Sequence, residues 1–345
     1  MLTYWAMFWL PLIGVLAPMP MVRSQGRMMF VSVCAVFTIF MGLRHQVGGD
    51  WYNYLPQFDY IAKLDFLDAL TFKDPGYEAL DWIVAQLGGS IYVVNLACAS
   101  VMMVGTYRFC RSLPNPWLAL LVAVPYLLIV VGMGYTRQAV AIGFAMFGLV
   151  SLSKGRTIPF VANILLGALF HSSAVLLLPI AGIASSRNRI WTVLWTAAAF
   201  VIAYFVLLEP ETESLWKNYV TTEMQSVGAF ERVLMNVVAA VPLLLFRKQF
   251  VKDPQARRLW IYLSLLALVC LPFVFFASTA VDRLALYLIP LQLVVFSRFP
   301  DLGHSLTART IIVVGVVAYY GTVQYVWLNY AIQRDYWVPY HFMPM

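Results

Sequence analysis

Charged residues are scarce in this chain. Of its 345 residues only 11% are Asp, Glu, Lys or Arg, whereas 62% are hydrophobic, and the mean hydropathy is +0.78. Soluble globular domains carry about a quarter charged residues, so the composition excludes that class. Apolar runs long enough to cross a bilayer recur from end to end, which indicates an integral membrane protein of many helices.

Cysteines and cofactor motifs are also few. Cys34, Cys98 and Cys270 fall in apolar runs and Cys110 in a predicted cytoplasmic loop, so we expect no disulfide, and their spacing fits no metal site. A Walker loop, a dinucleotide fingerprint and a His-Glu-x-x-His helix are missing. No internal repeat is visible, which counts against transporters built from inverted halves. The sequence therefore predicts neither a metal nor a cofactor.

The apolar runs predict an all-α, polytopic membrane protein with about 12 transmembrane helices in one membrane domain, 1–345. The first run lacks a basic region before it and contains three prolines, which favours a membrane helix over a cleaved signal peptide. The predicted spans are 3–20, 28–43, 91–107, 117–133, 137–153, 157–170, 172–186, 190–208, 230–246, 259–277, 281–297 and 309–330.

The distribution of charge among the loops predicts the topology. One alternate set of loops holds fifteen Lys and Arg residues against only two acids, Asp253 and Asp301. The other set holds the remaining eight cations and fourteen acids. Because loops rich in Lys and Arg stay in the cytoplasm, both termini are expected outside. The net charge of +7 is thus a topology signal and does not indicate a nucleic-acid partner.

Two external segments are long. In residues 44–90 we expect an amphipathic helix on or in the outer leaflet, started by Asp74-Pro75 and ended by Gly88-Gly89, with Tyr77, Leu80, Ile83, Val84 and Leu87 on one face. Residues 209–229 form an acidic external loop, which we interpret as a solvated connection.

The stretch from Gly42 to Tyr54 is the most unusual one. It places Arg44, His45, Gly48, Gly49, Asp50 and three aromatic rings directly after an apolar run. An arginine is costly beside hydrocarbon, and its planar fork of donors suits phosphate. The alternative is an interfacial anchor in which Arg44 snorkels and the rings form a belt. Asp50 is a candidate base, and Tyr54 and His45 are candidate substrate-binding residues.

A second polar group opens the span at 137–153. Tyr135-Thr136-Arg137-Gln138 follows Gly132 and Gly134, so Arg137 and Gln138 are expected at a helix N-terminus, where the dipole and free N–H groups favour an anion. The alternative is an arginine that pairs with lipid phosphate. Tyr135 joins Gln138 as a candidate substrate-binding residue.

His171 follows a short span. Fourteen residues, 157–170, make only about 21 Å of helix against a hydrocarbon core of about 30 Å, so His171 is expected in a recess below the outer surface. It is the preferred candidate for a general base, with a satisfied structural histidine as the alternative.

Asp282-Arg283 opens a late span, and two interpretations are equal there: a substrate site, or an ion pair that neutralises two costly charges. The Trp337-Val338-Pro339-Tyr340-His341 stretch is interpreted as an interfacial aromatic anchor.

These motifs, in this order, resemble the EpsG family of polytopic bacterial proteins, which are similar to Wzy-type polymerases of surface polysaccharides. The resemblance rests on Gly42-Leu43-Arg44, Gly48-Gly49-Asp50-Trp51-Tyr52-Asn53-Tyr54, Asp74-Pro75-Gly76-Tyr77-Glu78, Arg137-Gln138, Phe170-His171-Ser172-Ser173-Ala174 and Arg283 with Tyr287. The family more often has Gly-Thr-Asp-Tyr where this chain has Gly-Gly-Asp-Trp.

The resemblance implies a GT-C-like glycosyltransferase in the bacterial plasma membrane that polymerises undecaprenyl-diphosphate-linked oligosaccharides into an O-antigen, capsule or exopolysaccharide. Membrane lipid and a chain-length regulator would be its partners. Arg44, Arg137 and Arg283 would neutralise the diphosphate, and His171 or Asp50 would act as the base, without a metal. Two alternatives are a lipid-linked oligosaccharide flippase and a membrane O-acyltransferase. A flippase should carry charges near the midplane, and the acyltransferase usually takes its donor from the cytosol.

Overall fold

The computed structural model of the protein describes residues 1–17, 24–184, 189–208 and 226–344. Most of these residues are helical, as the apolar periodicity predicts. The external loop predicted at 209–229 lies outside the described residues except for its last four positions. The described helices form two compact units, one of residues 1–143, 169–171 and 310–345, the other of residues 144–168 and 172–309. Whether they act as one membrane domain stays a prediction.

The first unit is built mainly from the N-terminal helices. Its elements are α1 (Leu2–Leu16), α2 (Ser24–Gly42), β1 (Arg44–His45), α3 (Trp51–Ile61), α4 (Phe66–Leu70), α5 (Pro75–Gln86), α6 (Ile91–Arg111), α7 (Pro116–Gly134), the start of α8 (Thr136–Ser153), most of α16 (Leu306–Tyr330), a 3₁₀ turn (Arg334–Tyr336) and β2 (His341–Phe342).

Helix α7 is the core of this unit. Residues 117–134 are all buried, which fits a helix that is apolar on every side. It includes a π-helical segment, Val124–Val131, and Pro125 in that segment has no amide hydrogen for the regular ladder. Helix α1 packs along α7, and α2 packs along α6.

The second unit continues α8 and holds α9 to α15. These are α9 (Thr157–Ala168), α10 (Ser172–Ala184, with a 3₁₀ start), α11 (Arg189–Ala203, followed by a π turn to Leu208), α12 (Ala229–Leu245), α13 (Arg247–Phe250), α14 (Pro254–Phe273), α15 (Ser278–Phe296) and a 3₁₀ turn (Phe299–Leu302). Helix α12 packs against both α14 and α15, and α10 packs against α11.

Every predicted span coincides with a helix over the residues that the structure describes. Among those residues, seven helices are long and apolar enough to cross a membrane: α2, α6, α7, α8, α14, the stretch Ser278–Leu302 that contains α15, and α16. Four more are apolar but shorter, namely Leu2–Leu16, Thr157–Ala168, Ser172–Ala184 and Ile190–Val206. The count of about 12 spans and the GT-C-like arrangement stay predictions.

The predicted helix in the 44–90 segment is present as α5. It begins after Asp74, has Pro75 in its first turn and is followed by Gly88 with a φ of 72°. Its faces differ from the expected pattern, because the buried side carries Tyr77, Glu78, Asp81 and Val84, whereas Ile83 and Leu87 are exposed. The acids of this helix therefore face the protein interior.

Candidate functional site

The loop after α2 is held by backbone contacts that only glycine allows. Gly48 has a φ of 106°, and a Cβ placed on it would lie 2.2 Å from the carbonyl oxygen of Met133. Its amide donates to the carbonyl oxygen of Tyr336 at 2.8 Å. This close contact, which leaves no room for a side chain, ties the loop to the end of α7.

Arg44 points into the protein. Only 1% of the residue is exposed, and its guanidinium donates to the carbonyl oxygens of Met41 and Val47, to Thr136 Oγ1 at 2.7 Å and to Asn95 Oδ1 at 3.4 Å. The side chain therefore joins the end of α2 to α6 and to the first residue of α8. A phosphate contact by Arg44 stays a prediction.

The C-terminal segment braces this loop. Strand β2 pairs antiparallel with β1, so that Arg44 lies opposite Phe342 and His45 opposite His341. Trp337 is fully buried, and its Nε1 donates to the carbonyl oxygen of Ile129 at 3.0 Å. The interpretation of the Trp337 stretch as an interfacial anchor was wrong for the tryptophan itself, because its ring fills the interior above Gly134.

Arg137 is the centre of a group of polar side chains that we call the Arg137 cluster: Asp50, Tyr54, Asp74, Tyr77 and Arg137. It is the second residue of α8, so the predicted position at a helix N-terminus is confirmed. Its Nη1 donates to Asp74 Oδ2 at 2.9 Å, and the guanidinium carbon lies 5.6 Å from the ring centre of Tyr54 and 5.8 Å from that of Tyr77.

Two properties of Arg137 are suited to binding an anion. About one sixth of its side chain is exposed (15%), whereas Arg44 is closed off. The aromatic rings and Asp74 fix the guanidinium plane, and a guanidinium carries five donors, so a further acceptor can be bound. Arg137 also lies in the first turn of α8, where the positive end of the helix dipole favours an anion.

Asp50 and His45 occupy the rim of the same loop. Asp50 precedes α3, and its Oδ2 accepts from the Tyr54 hydroxyl at 3.4 Å. The Nδ1 atom of His45 lies 2.6 Å from the hydroxyl oxygen of Tyr92, and the His45 ring packs edge-on against Trp51. Both side chains are partly exposed. The structure thus brings Tyr54 to Arg137 and Asp50 to Tyr54, and it ties His45 to Tyr92 of α6.

His171 is carried by a short link between α9 and α10. Helix α9 has twelve residues, so a short helix does precede His171, and whether it spans the membrane stays a prediction. The carbonyl oxygen of Leu169 accepts from the amide of Gly76 at 2.7 Å, and a Cβ on Gly76 would lie 2.9 Å from Leu169 Cβ. The backbone just before His171 therefore touches the first turn of α5, next to Asp74, and His171 itself is half-buried.

Glu78 and Asp81 lie deeper on the buried face of α5. Both are fully buried. Gln57 Nε2 donates to Glu78 Oε1 at 2.7 Å, but Glu78 Oε2 and both oxygens of Asp81 have no hydrogen-bond partner. Burial raises the pKa of Glu78 to about 7 and that of Asp81 to about 8, and in Asp81 the neighbouring Glu78 raises it further.

The two other candidate residues near the start of α8 are Tyr135 and Gln138. Gln138 is buried, with 4% exposed, and Tyr135 is half-buried in the link between α7 and α8. The carbonyl oxygen of Tyr135 accepts from the amide of Ala139 at 2.8 Å, which starts the helix. Substrate contacts by either residue stay predictions.

Asp282 and Arg283 belong to the second unit. Asp282 is buried and forms a two-pronged ion pair with Arg232 of α12, in which Nε and Nη2 each donate to one carboxylate oxygen. Ser226 Oγ donates to Asp282 Oδ2 at 2.7 Å. The ion-pair interpretation therefore holds across two helices for Asp282, with Arg232 as partner. Arg283 is half-buried on α15.

Several of these residues were not singled out as site candidates from the sequence: Asp74, Tyr77, Glu78, Asp81, Asn95 and Arg232. One signal was available, because positions 74, 77, 78 and 81 follow the i, i+3, i+4, i+7 spacing of one helix face. An acidic stripe on a helix usually faces solvent, which is why the spacing alone did not indicate a buried site.

Together the apolar helices define a multi-pass, all-α membrane protein with a buried polar cluster at the start of one helix. The model of the EpsG family matches residues 27–342, nearly the whole chain. The protein belongs to the EpsG family, a Wzy-like family of polysaccharide polymerases with a role in exopolysaccharide biosynthesis. No curated protein and no solved structure matches the chain.

Proposed function

We propose that the protein is a glycosyltransferase that polymerises undecaprenyl-diphosphate-linked repeat units into a surface polysaccharide at the outer leaflet of the plasma membrane. The family supplies the class of reaction. The lipid-linked diphosphate, the outer leaflet and independence from metal are the parts that we add. The diphosphate is supported by residues of the first unit, and the outer leaflet by the loop charges of the whole chain.

The observation that carries the proposal is the setting of Arg137. A part-exposed guanidinium is held by one carboxylate and two aromatic rings at the N-terminus of α8. This arrangement supplies a fixed cation and helix N–H groups, which are what a leaving diphosphate needs for charge stabilisation. The cation that we assign to the leaving diphosphate is Arg137, and metal independence is part of the proposal.

The reaction that we propose forms one glycosidic bond. An acceptor sugar hydroxyl attacks the anomeric carbon of the donor, the bond from that carbon to the diphosphate oxygen breaks, and the electron pair leaves with the diphosphate. The hydroxyl proton passes to a general base. His171 is the first candidate, because its link is bonded to α5 beside Asp74, and Asp50 at the rim of the loop is the rival.

The three arginines then have different roles. Arg137 contacts the diphosphate. Arg44 acts as a positioning residue, because its bond to Thr136 fixes the residue that precedes Arg137. Arg283, Asp282, Tyr135, Gln138 and His45 remain proposed substrate contacts, and Tyr54 holds both Asp50 and the Arg137 side chain.

The experiment that tests the proposal is an analysis of lipid-linked glycans in cells that lack the gene. A polymerase defect leaves single repeat units on the lipid diphosphate and removes long chains. A flippase defect would leave the single units on the cytoplasmic leaflet, where an impermeant glycan-modifying enzyme cannot reach them in spheroplasts. Accumulation of long lipid-linked chains in the deletion cells would contradict the proposal.

A further inference from the structure

Glu78 and Asp81 are an unusual pair for the interior of a protein. They are one helical turn apart on α5, both are fully buried, and three of their four carboxylate oxygens have no hydrogen-bond partner. An ionised carboxylate without partners is very costly in a buried site. The pair therefore has to bind something that reduces its charge.

Two buried donors in the same region are also unsatisfied. The hydroxyl of Tyr77 and the Nδ2 of Asn95 have no partner, although the two residues are at most 1% exposed. Tyr77 lies one turn before Asp81 on α5. On α6, Cys98 lies one turn after Asn95 and is close enough to Asp81 for an electrostatic interaction. Unsatisfied donors thus accompany the unsatisfied carboxylates, as expected where the hydrogen-bonding pattern depends on a proton.

The surrounding charges specify how many protons the pair needs. The buried or part-buried charged groups of this region are two cations, Arg44 and Arg137, and four acids, Asp50, Asp74, Glu78 and Asp81. Full ionisation leaves two excess negative charges, and two protons remove them. The other titratable groups on the elements packed against α5 are Tyr77 on α5 itself, Tyr54 and Asp59 on α3, Asp65 and Asp68 beside and on α4, Tyr92 and Cys98 on α6, and His171 near Gly76.

The acidities agree with this count. Burial is the largest cause of the raised pKa of Glu78, about 7, and of Asp81, about 8. The charge of Arg137 lowers both pKa values. Both carboxyls therefore gain and lose their protons near neutral pH.

We propose that Glu78 and Asp81 bind protons as a pair, and that the pair is a positioning element which controls how strongly Arg137 binds a diphosphate. The inference rests on the proposed function, because the anion site is the one assigned there. With both protons bound, the two carboxyls are uncharged, and Asp50 and Asp74 balance Arg44 and Arg137. Loss of the protons adds negative charge close to the site that must accept an anion.

The direction of the pH dependence follows. Below about pH 7 both carboxyls are protonated and the diphosphate binds more tightly, and above about pH 8 their negative charge repels it. Because linkage is reciprocal, binding of the anion must raise the affinity of the pair for protons. Binding at a pH just above the transition should therefore take up a proton from the buffer.

The test uses the full-length protein in lipid nanodiscs and a citronellyl diphosphate ester of N-acetylglucosamine as the probe. A diphosphate diester keeps two negative charges throughout the neutral range, so the probe does not titrate. Calorimetry should show affinity that falls about tenfold from about pH 6 to about pH 9, the size expected for one charge interaction near a protein surface. In two buffers of different ionisation enthalpy, binding at about pH 8 should take up a fraction of one proton.

Variants assign the effect to the pair. Glu78→Gln with Asp81→Asn mimics the protonated state, so affinity should stay near the value that the wild type shows at low pH. Asp68→Asn, the same chemical change at an exposed acid of α4, should keep the tenfold dependence. His171→Gln should keep it as well, which separates the pair from histidine titration.

The outcomes are distinct. Failure of the wild type to bind the probe at any pH would sink both this inference and the anion site on which it rests. Binding with the same affinity at every pH and without proton uptake would overturn the inference alone. Loss of the dependence in His171→Gln would also overturn it. The proton uptake is measured on the wild type, so the test stands even where the double variant does not fold.

Discussion

Gly48 shows how one residue shapes the loop that carries Asp50. Its backbone lies in the left-handed region and its Cα faces the carbonyl oxygen of Met133 with no room for a side chain. Gly49, its neighbour, has open space, because a Cβ there would meet only Trp337 at 3.8 Å. The backbone therefore requires a glycine at position 48, whereas position 49 has room for a side chain.

This contrast yields the first prediction. Gly48→Ala should lower the melting temperature of the purified protein clearly, because both a strained φ and a steric clash are introduced, at a cost above about 1 kcal/mol. Gly49→Ala should leave the melting temperature nearly unchanged. Equal effects of the two substitutions in detergent solution would show that the loop does not have the described geometry.

His171 carries the second prediction. If it is the general base, His171→Ala should lower the polymerisation rate by about 10² to 10⁴-fold while the lipid-linked donor still binds. Asp50→Asn should lower the rate less, because Asp50 then only orients Tyr54 and the acceptor. The rates and donor affinities should be compared at matched protein levels. A His171→Ala protein that polymerises at a near-normal rate would move the base to another residue.

At the residue scale, the sequence was more informative about the position of a side chain in its helix than about the residues that it contacts. The position of Arg137 at a helix start could be predicted, because glycines and a polar run precede an apolar span. Its partner Asp74, 63 residues earlier, could not, since periodicity shows which residues share a helix face but not which distant segment packs there. The inward orientation of Glu78 and Asp81 was missed for the same reason.

Among the elements, the C-terminal segment has the clearest structural task. Strand β2 pairs with β1, and Trp337 packs into the interior between α7 and α16, where its ring lies edge-on to Trp327. The carbonyl oxygen of Trp337 accepts from the Tyr4 hydroxyl. This segment therefore links α1, α7 and the Arg44 loop of the first unit, although it is 333 residues from Tyr4 in sequence.

The third prediction concerns this element. Trp337→Ala should destabilise the protein by about 3–5 kcal/mol, because it leaves a large cavity and removes the hydrogen bond to the carbonyl oxygen of Ile129. Tyr336→Ala is the matched control, since the side chain of Tyr336 is about half exposed (49%) and only its backbone contacts Gly48. Thermal unfolding in detergent measures both. A control that melts as early as Trp337→Ala would argue against the bracing role.

At the element scale, the sequence predicted the helices well and their ends less well. The signals that worked were local: Asp74-Pro75 before α5, Gly88 after it, and long apolar runs. The tryptophan of the C-terminal segment was misassigned because an aromatic-rich end resembles a membrane-interface belt. Its interior position depends on distant contacts, such as the hydrogen bond from its Nε1 to the carbonyl oxygen of Ile129, 208 residues earlier.

For the whole molecule, the loop charges make a prediction that the fold alone does not test. The loops that carry Arg44, Arg137, His171 and Arg283 should lie outside the cell, since fifteen of the cations fall in the opposite set. The four native cysteines are buried, so a single introduced cysteine gives a clear label. Asp68→Cys should react with an impermeant maleimide in intact cells, and Lys154→Cys only after permeabilisation. The reverse pattern would overturn the topology.

For the whole molecule, hydropathy alone does not predict how many helices cross the membrane. Seven helices in the described residues have the length and hydropathy of spans, whereas the twelve apolar runs include short ones such as α9 and the 3₁₀ start of α10. Helices of that length cross a bilayer only where neighbouring protein covers their ends. The sequence could predict the helices but not which of them cross.

The central claim is that Arg137 binds the diphosphate of a lipid-linked repeat unit during polymerisation. The most direct measurement is the chain-length distribution made by the purified protein from lipid-linked repeat units isolated from deletion cells. Wild type should give a ladder, and Arg111→Ala, an exposed arginine at the far end of α6, should give the same ladder. Arg137→Ala should lose about tenfold or more of the product, and Arg137→Lys should rescue poorly. A full ladder from Arg137→Ala at wild-type rate would contradict the account.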